Sequence, residues 1–414
     1  MILLLITFLV IFPKGGIKAA GVPVTWGYIG LALAFLWFLL TLFSGRPGRI
    51  RVVRLIALAA LVPFQAVAWT SLLVNGVNSV GFTISLVVTF FAIPAILVLA
   101  FGIHLDRLDL GFIFRLLRRA VFVVAAYGIF LFVYKILTGE FIEIPYLTVN
   151  AGDAGSMEAT KYNNRGGIFK LISTYNNGNI YGVTMLMLLP LYVWLEKSVV
   201  KRSVVKLSLV LTLSRTVWVG LLFYEVLHRL YTKRISTRTL LMLGATLTVM
   251  ALGVVYLLGL VGMEVSFLFD RNLGGRAGQF DTFGSATVLP ATSFDAIAEI
   301  VYLSVLQNFG ALGLFFFLVG MVTPVIAHLV RALPFAATEY KKSLATGLMV
   351  YLFVAMSDGA ILFIPVMAIY WFVVSLLLSD NPSFADWDAG MVVQDPAPDR
   401  GFHGNAVPFA DGRA

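Results

Sequence analysis

The run Leu211-Thr212-Leu213-Ser214-Arg215-Thr216-Val217-Trp218 sets one arginine inside an apolar stretch that covers residues 204–223. A guanidinium in hydrocarbon costs roughly 2.5–3.5 kcal/mol on insertion scales, and there it marks a site or a water-filled cavity. If Ser214 and Arg215 instead form the turn between two short helices, the charge reaches the membrane surface and the cost is small. The basic residues elsewhere in the chain decide between the two.

Of the 414 residues, 60% are hydrophobic and only 12% charged, which puts most of the chain in lipid. Crossing a bilayer as helix takes about 20 apolar residues, so about ten to twelve crossings fit. No alternating polar and apolar strands occur, which excludes a β-barrel. The absence of cysteine excludes a disulfide framework, a thiol nucleophile and thiolate metal ligands. The net charge of +9 comes from basic clusters in short loops between apolar runs. Such clusters are topology signals and do not imply nucleic acid. Residues 1–12 lack a basic n-region and a small-residue cleavage site, so they read as a first helix and not a signal peptide.

Helices are expected over residues 1–12, 24–43, 55–74, 81–101, 121–137, 180–195, 240–261, 300–330, 344–356 and 360–378. The run from 204 to 230 supplies one crossing or two. Five basic clusters punctuate the chain: Arg46, Arg49, Arg51, Arg54; Arg107, Arg115, Arg118, Arg119; Lys197, Lys201, Arg202, Lys206; Arg229, Lys233, Arg234, Arg238; and Arg331, Lys341, Lys342. All five fall on one side only if the 204–230 run crosses twice and turns at Ser214-Arg215. That parity gives an all-α polytopic membrane protein of about 12 transmembrane helices, with both termini inside. Two large polar segments, 138–178 and 263–298, then face outward with Arg215. Residues 1–378 form the membrane domain, and the Asp-, Pro- and Gly-rich tail 379–414 is expected to be disordered.

The first outer segment carries Arg165-Gly166-Gly167-Ile168-Phe169 and Tyr175-Asn176-Asn177-Gly178-Asn179. Asn-Asn-Gly is a turn signal, and side-chain amides suit sugar hydroxyls, though a plain solvated loop has the same composition. The second carries Asp270, Arg271, Arg276, Phe280, Asp281 and Asp295, then Glu299 at the mouth of the next helix, with Gly310 and Gly313 beyond. An acidic residue there is good capping chemistry. The same set also suits glycan transfer from a lipid diphosphate. Guanidinium forks hold a diphosphate leaving group, and a carboxylate takes the proton of an attacking hydroxyl. Three further residues have local explanations: Glu225 pairing with His228 and Arg229, Lys135 snorkelling to the interface, and Asp358 in an Asp-Gly turn.

Three blocks together resemble the O-antigen polymerase and O-antigen ligase family of bacterial envelope glycan enzymes. They are Arg165-Gly166-Gly167-Ile168-Phe169 with the following Asn-rich run, Thr212-Leu213-Ser214-Arg215-Thr216-Val217-Trp218, and Arg276 leading to Glu299-Ile300-Val301-Tyr302-Leu303 and Gly310. The resemblance covers roughly residues 25–378. It implies a fold related to lipid-dependent glycosyltransferases, a bacterial inner-membrane location and an active site open to the periplasm. It also implies a polyprenyl-diphosphate-linked oligosaccharide donor, a glycan acceptor and no cofactor or metal; a chain-length regulator is an expected protein partner. By that resemblance Arg215 and Arg276 hold the diphosphate, Glu299 is the base, and Arg165, Arg271, Asn176, Asn177 and Tyr302 bind substrate. Ligases usually carry a histidine three residues before the tyrosine, where this chain has Glu299, and a tryptophan where it has Phe280. The first departure points to a polymerase, with a ligase and a flippase of the lipid-linked unit as the alternatives.

Overall fold

The computed structural model of the chain describes residues 2–19, 22–43, 51–105, 108–151, 155, 164–165, 168–232, 278–280, 286–332 and 339–379. Its helices are α1 Ile2–Ile11, α2 Trp26–Phe43, α3 Val52–Asn75, α4 Val80–Leu105, α5 Leu110–Thr138, α6 Gly178–Leu195, α7 Val199–Val210, α8 Arg215–Thr232, α9 Val301–Ala332, α10 Glu339–Val354 and α11 Ile364–Leu377. Among the described residues five helices are long and apolar enough to cross a membrane: α3, α4, α5, α6 and Val301–Val330 of α9. Apolar side chains such as Leu33, Leu40, Val74, Phe130, Phe315 and Val330 are exposed on the bundle surface. Aqueous proteins seldom expose so much large apolar surface, whereas a protein embedded in a bilayer requires it. The expected helix over 240–261 and the tail from 380 onward lie outside the described residues.

Every residue of α11 is buried, so this helix, apolar all round, runs through the bundle interior. Beside it α6 and α10 pack closely with each other and with α8 because glycines face their neighbours. A Cβ at Gly182 would meet Val217 at 2.2 Å, and one at Gly347 would meet the Met187 carbonyl oxygen at 2.2 Å. In this way α8, which begins at Arg215, is seated against the most buried part of the molecule.

Several helices depart from the pattern read in the sequence. Helix α5 begins at Leu110 instead of 121, so Arg115, Arg118 and Arg119 are helical and not loop residues. Arg54, expected among the loop cations, is fully buried in the first turn of α3, with Gly102 close against it. Helix α3 is interrupted at Ala60-Leu61, and Pro63 restarts it where a missing N–H costs nothing. In α4 two π-helical stretches loosen the backbone ladder. Their carbonyls at Phe90 and Leu97 accept bonds from Gln65 and Ser375. Among the described residues there are also two small antiparallel hairpins, β1 Gly16–Ala19 with β2 Val22–Thr25, and β3 Asn164–Arg165 with β4 Ile168–Phe169. Both are loop structures and leave the helical architecture unchanged.

Helix α9 breaks at Gly310, whose φ of 71° and ψ of 179° only glycine adopts without strain. The break exposes backbone N–H groups, and the preceding segment satisfies them. Ala311 N donates to Thr287 O at 2.8 Å and Leu312 N to Val288 O at 3.0 Å. The same segment pairs further along with the α3–α4 connection, through Asn78 N to Phe294 O and Phe294 N to Gly76 O. It is therefore a strap bonded at several points.

Two ends of the bundle differ in character. At one, the connections join: Gly16 bridges Asn150, Trp26 Nε1 donates to Tyr146 O, Leu171 N donates to Leu211 O, and Lys14 lies over the Phe363 ring. At the other, ionic and aromatic contacts gather, with Lys206 on Glu225 at 2.5 Å and Tyr340 beside both Phe114 and Trp194. Glu225 thus pairs across the α7–α8 hairpin with Lys206, while His228 stacks on Tyr224.

Candidate functional site

The decisive run forms a turn between two helices. Helix α7 ends at Val210, residues 211–214 turn, and α8 starts at Arg215. The turn is closed from both flanks: Trp218 Nε1 donates to Val210 O at 2.9 Å, and Thr212 Oγ1 donates to Leu209 O at 2.7 Å. Leu213 has a φ of 50°, a left-handed backbone that costs a leucine on the order of 1–3 kcal/mol. Burial of Thr212, Leu213, Ser214 and Thr216 holds it there. Such strain clusters at functional sites, and Arg215 lies two residues further on.

Arg215 opens onto a cavity of about 350 Å³ lined also by Thr216, Val219, Phe280, Ile300, Phe353, Val354, Met356 and Ser357. The walls come from α8, the end of α10 with its following turn, and the strap before α9. A hydroxyl pair fastens two of them: Thr216 Oγ1 and Ser357 Oγ are 2.8 Å apart. Next to Ser357, Asp358 accepts a 2.7 Å bond from Asn179 Nδ2, and Asn179 Oδ1 accepts from Lys170 Nζ at 3.3 Å. Lys170, Asn179 and Asp358 are all buried. A cation and a carboxylate bridged by an amide are a stable way to keep charge inside, since each polar atom finds a partner.

The expected site residues fall in different places. Glu299 is partly buried in the bend before α9, adjacent to the cavity-lining Ile300, whose N–H donates to Gln279 Oε1 at 3.3 Å. Tyr302 points elsewhere: its hydroxyl donates to Leu352 O. Asn177 caps α6, its Oδ1 accepting from Asn179 N at 2.8 Å and Ile180 N at 3.2 Å, and Asn176 takes the left-handed position just before it. Arg165 is placed by its backbone on β3, paired with Ile168. Arg271, Arg276 and Asp281 lie outside the described residues. Lys135 does not snorkel: it is buried, donates to Gly139 O and lies 4.7 Å from the Phe141 ring and 4.4 Å from the Phe169 ring. This ties the end of α5 to the hairpin that bears Arg165.

Lys170, Asn179, Thr216 and Ser357 were not among the expected site residues, although Asn179 and Thr216 lie in the blocks that carry the resemblance. Lys170 gives no signal, since a lysine after a hairpin reads as solvated. Asp358 gave a partial one, as an acid in a turn beside the cavity. Comparison of the chain with protein-family models, curated proteins and solved structures finds no match.

Proposed function

We propose that this membrane-embedded protein is a glycosyltransferase that uses a polyprenyl-diphosphate-linked glycan donor. Within that class the reading is a polymerase, joining lipid-linked oligosaccharide units into a surface polysaccharide such as an O-antigen or exopolysaccharide. Its chain crosses the inner membrane about twelve times, with segments 138–178 and 263–298 periplasmic. The observation that carries the reading is Arg215 at the start of α8, on a partly apolar cavity beneath the joined connections, with Glu299 beside its wall. Convergence of the connections at one end and basic residues at the other supports the orientation.

In this reading the acceptor hydroxyl oxygen attacks the donor's anomeric carbon as the bond from that carbon to the diphosphate oxygen breaks. The diphosphate leaves with the electron pair, held by Arg215 and Arg276, and the hydroxyl proton passes to the Glu299 carboxylate. Arg165, Arg271 and the Asn176-Asn177 region bind the glycan portion.

Deleting the gene and extracting lipid-linked glycans tests this. A polymerase mutant accumulates single repeat units on the lipid diphosphate at the outer face and loses polymer. Finished polymer retained on the lipid diphosphate would indicate a ligase. Single units inaccessible from outside would indicate a flippase.

A further inference from the structure

A second cavity of about 230 Å³ lies at the basic end, lined by Arg118, Arg119, Phe122, Glu196 and Lys201. A water needs only about 10–15 Å³ of such space, so a much larger group fits. Arg118 and Arg119 come from α5 just where its apolar stretch begins, and Lys201 comes from the first turn of α7. Three cations face one carboxylate. Glu196 is buried and locally committed: its Oε1 accepts from Ser198 N at 2.9 Å, and its Oε2 lies 4.0 Å from Lys201 Nζ. Among the described residues, neither Arg118 nor Arg119 makes a hydrogen bond or ion pair. Two guanidiniums on one cavity, whose single carboxylate is already bonded to Ser198 N and close to Lys201, suit a set of phosphate oxygens.

The surroundings decide what carries the phosphate. Val123 follows Phe122 and is 49% exposed, while Val199 and Val200 precede Lys201 and are 73% and 72% exposed. Apolar surface directly beside the basic cavity fits acyl chains and not a soluble anion. We propose that this cavity binds the phosphate of an anionic phospholipid, whose acyl chains lie against Val123, Val199 and Val200. It is separate from the Arg215 cavity and independent of the glycosyltransferase reading. Basic pockets between transmembrane helices are a known chemistry for anionic headgroups.

The test is native mass spectrometry of the purified full-length chain titrated with phosphatidylglycerol or with phosphatidylcholine. The wild type should take up phosphatidylglycerol at least about tenfold more tightly. Each basic residue near a membrane surface contributes about a factor of five, so Arg118→Gln with Arg119→Gln should weaken the first binding event by on the order of 25-fold. Replacing both by lysine should leave it within a few-fold, and Lys341→Gln with Lys342→Gln should leave it unchanged. Equal uptake of the two lipids by the wild type would overturn the proposal without reference to any variant. So would an undiminished phosphatidylglycerol preference in the folded double-Gln variant, or displacement of the lipid by millimolar inorganic phosphate.

Discussion

Asn179 and Asp358, far apart in sequence, are joined by a 2.7 Å hydrogen bond that ties the first turn of α6 to the turn before α11. Through Asn179 the carboxylate is linked to the buried Lys170, and through its neighbour Ser357 to Thr216 and the helix that bears Arg215. One wall of the candidate site is thus fixed to the most buried helices of the bundle by polar contacts.

Removing the carboxylate should therefore loosen that wall. Asp358→Ala leaves the buried Asn179 Nδ2 without its acceptor, at a cost of about 1–3 kcal/mol. Asp358→Asn keeps an acceptor oxygen and should lose less. The thermal midpoints of the purified proteins in one detergent measure this. Equal midpoints for wild type and Asp358→Ala would show that the network contributes nothing to stability.

At the opposite wall the strap depends on Gly310. A Cβ there would stand 2.6 Å from the Val288 carbonyl oxygen, on a backbone forbidden to other residues. Gly310→Ala should cost about 1–3 kcal/mol and release residues 286–300. Limited proteolysis reads the second effect directly: new cleavage between 286 and 300 is expected, and protection equal to wild type would refute the strap's dependence on this glycine.

Apolar run lengths made most of the helices legible, because lipid demands a continuous apolar helix and tolerates little else. The turn at Ser214-Arg215 was legible too, from charge parity alone. Local composition could not show the break in α9, since Gly310 sits in an apolar run and its conformation is set by residues 287–288 folding back onto it. The early start of α5 was hidden because arginines at a helix end look like loop residues by hydropathy. At the site, Arg215 stood out as a charge out of place, whereas Lys170 and Asn179 act through burial, which depends on how the whole bundle assembles. Asn177 read as a sugar ligand, yet its side chain caps a helix. The two roles call for the same residue type.

The proposed topology rests on the same parity. A reporter active only outside the cytoplasm should be active when fused at Asp153 or Gly284 and silent at Arg49 or Arg234. Activity at Arg234 would mean that residues 204–230 cross once, which conflicts with the turn at 211–214.

Arg215→Lys keeps the charge and loses the planar fork that engages two phosphate oxygens at once. Membrane abundance should hold while product falls by about tenfold or more, as expected when a bidentate contact to a charged group is lost. Polymer length on gels, normalised to the protein in membranes, is the readout. Full activity with lysine would mean that Arg215 acts as a simple point charge.

Glu299 carries the most specific chemical claim. It lies beside Ile300 on the cavity wall, at the opening of α9, and in the proposed reaction its carboxylate takes the proton from the acceptor hydroxyl. Glu299→Gln preserves size and one acceptor oxygen but removes the base, for which losses of roughly 10²-fold or more are typical. Glu299→Ala would not separate catalysis from helix capping, so the glutamine variant is the informative one. Turnover of purified lipid-linked donor should fall by that factor with donor binding unchanged. If binding weakened while bound donor still turned over normally, Glu299 would be a positioning residue. Near-wild-type turnover would remove it from the chemistry and transfer the role of base to another acid, with Asp281 and Asp295 in the same outer segment the first to replace.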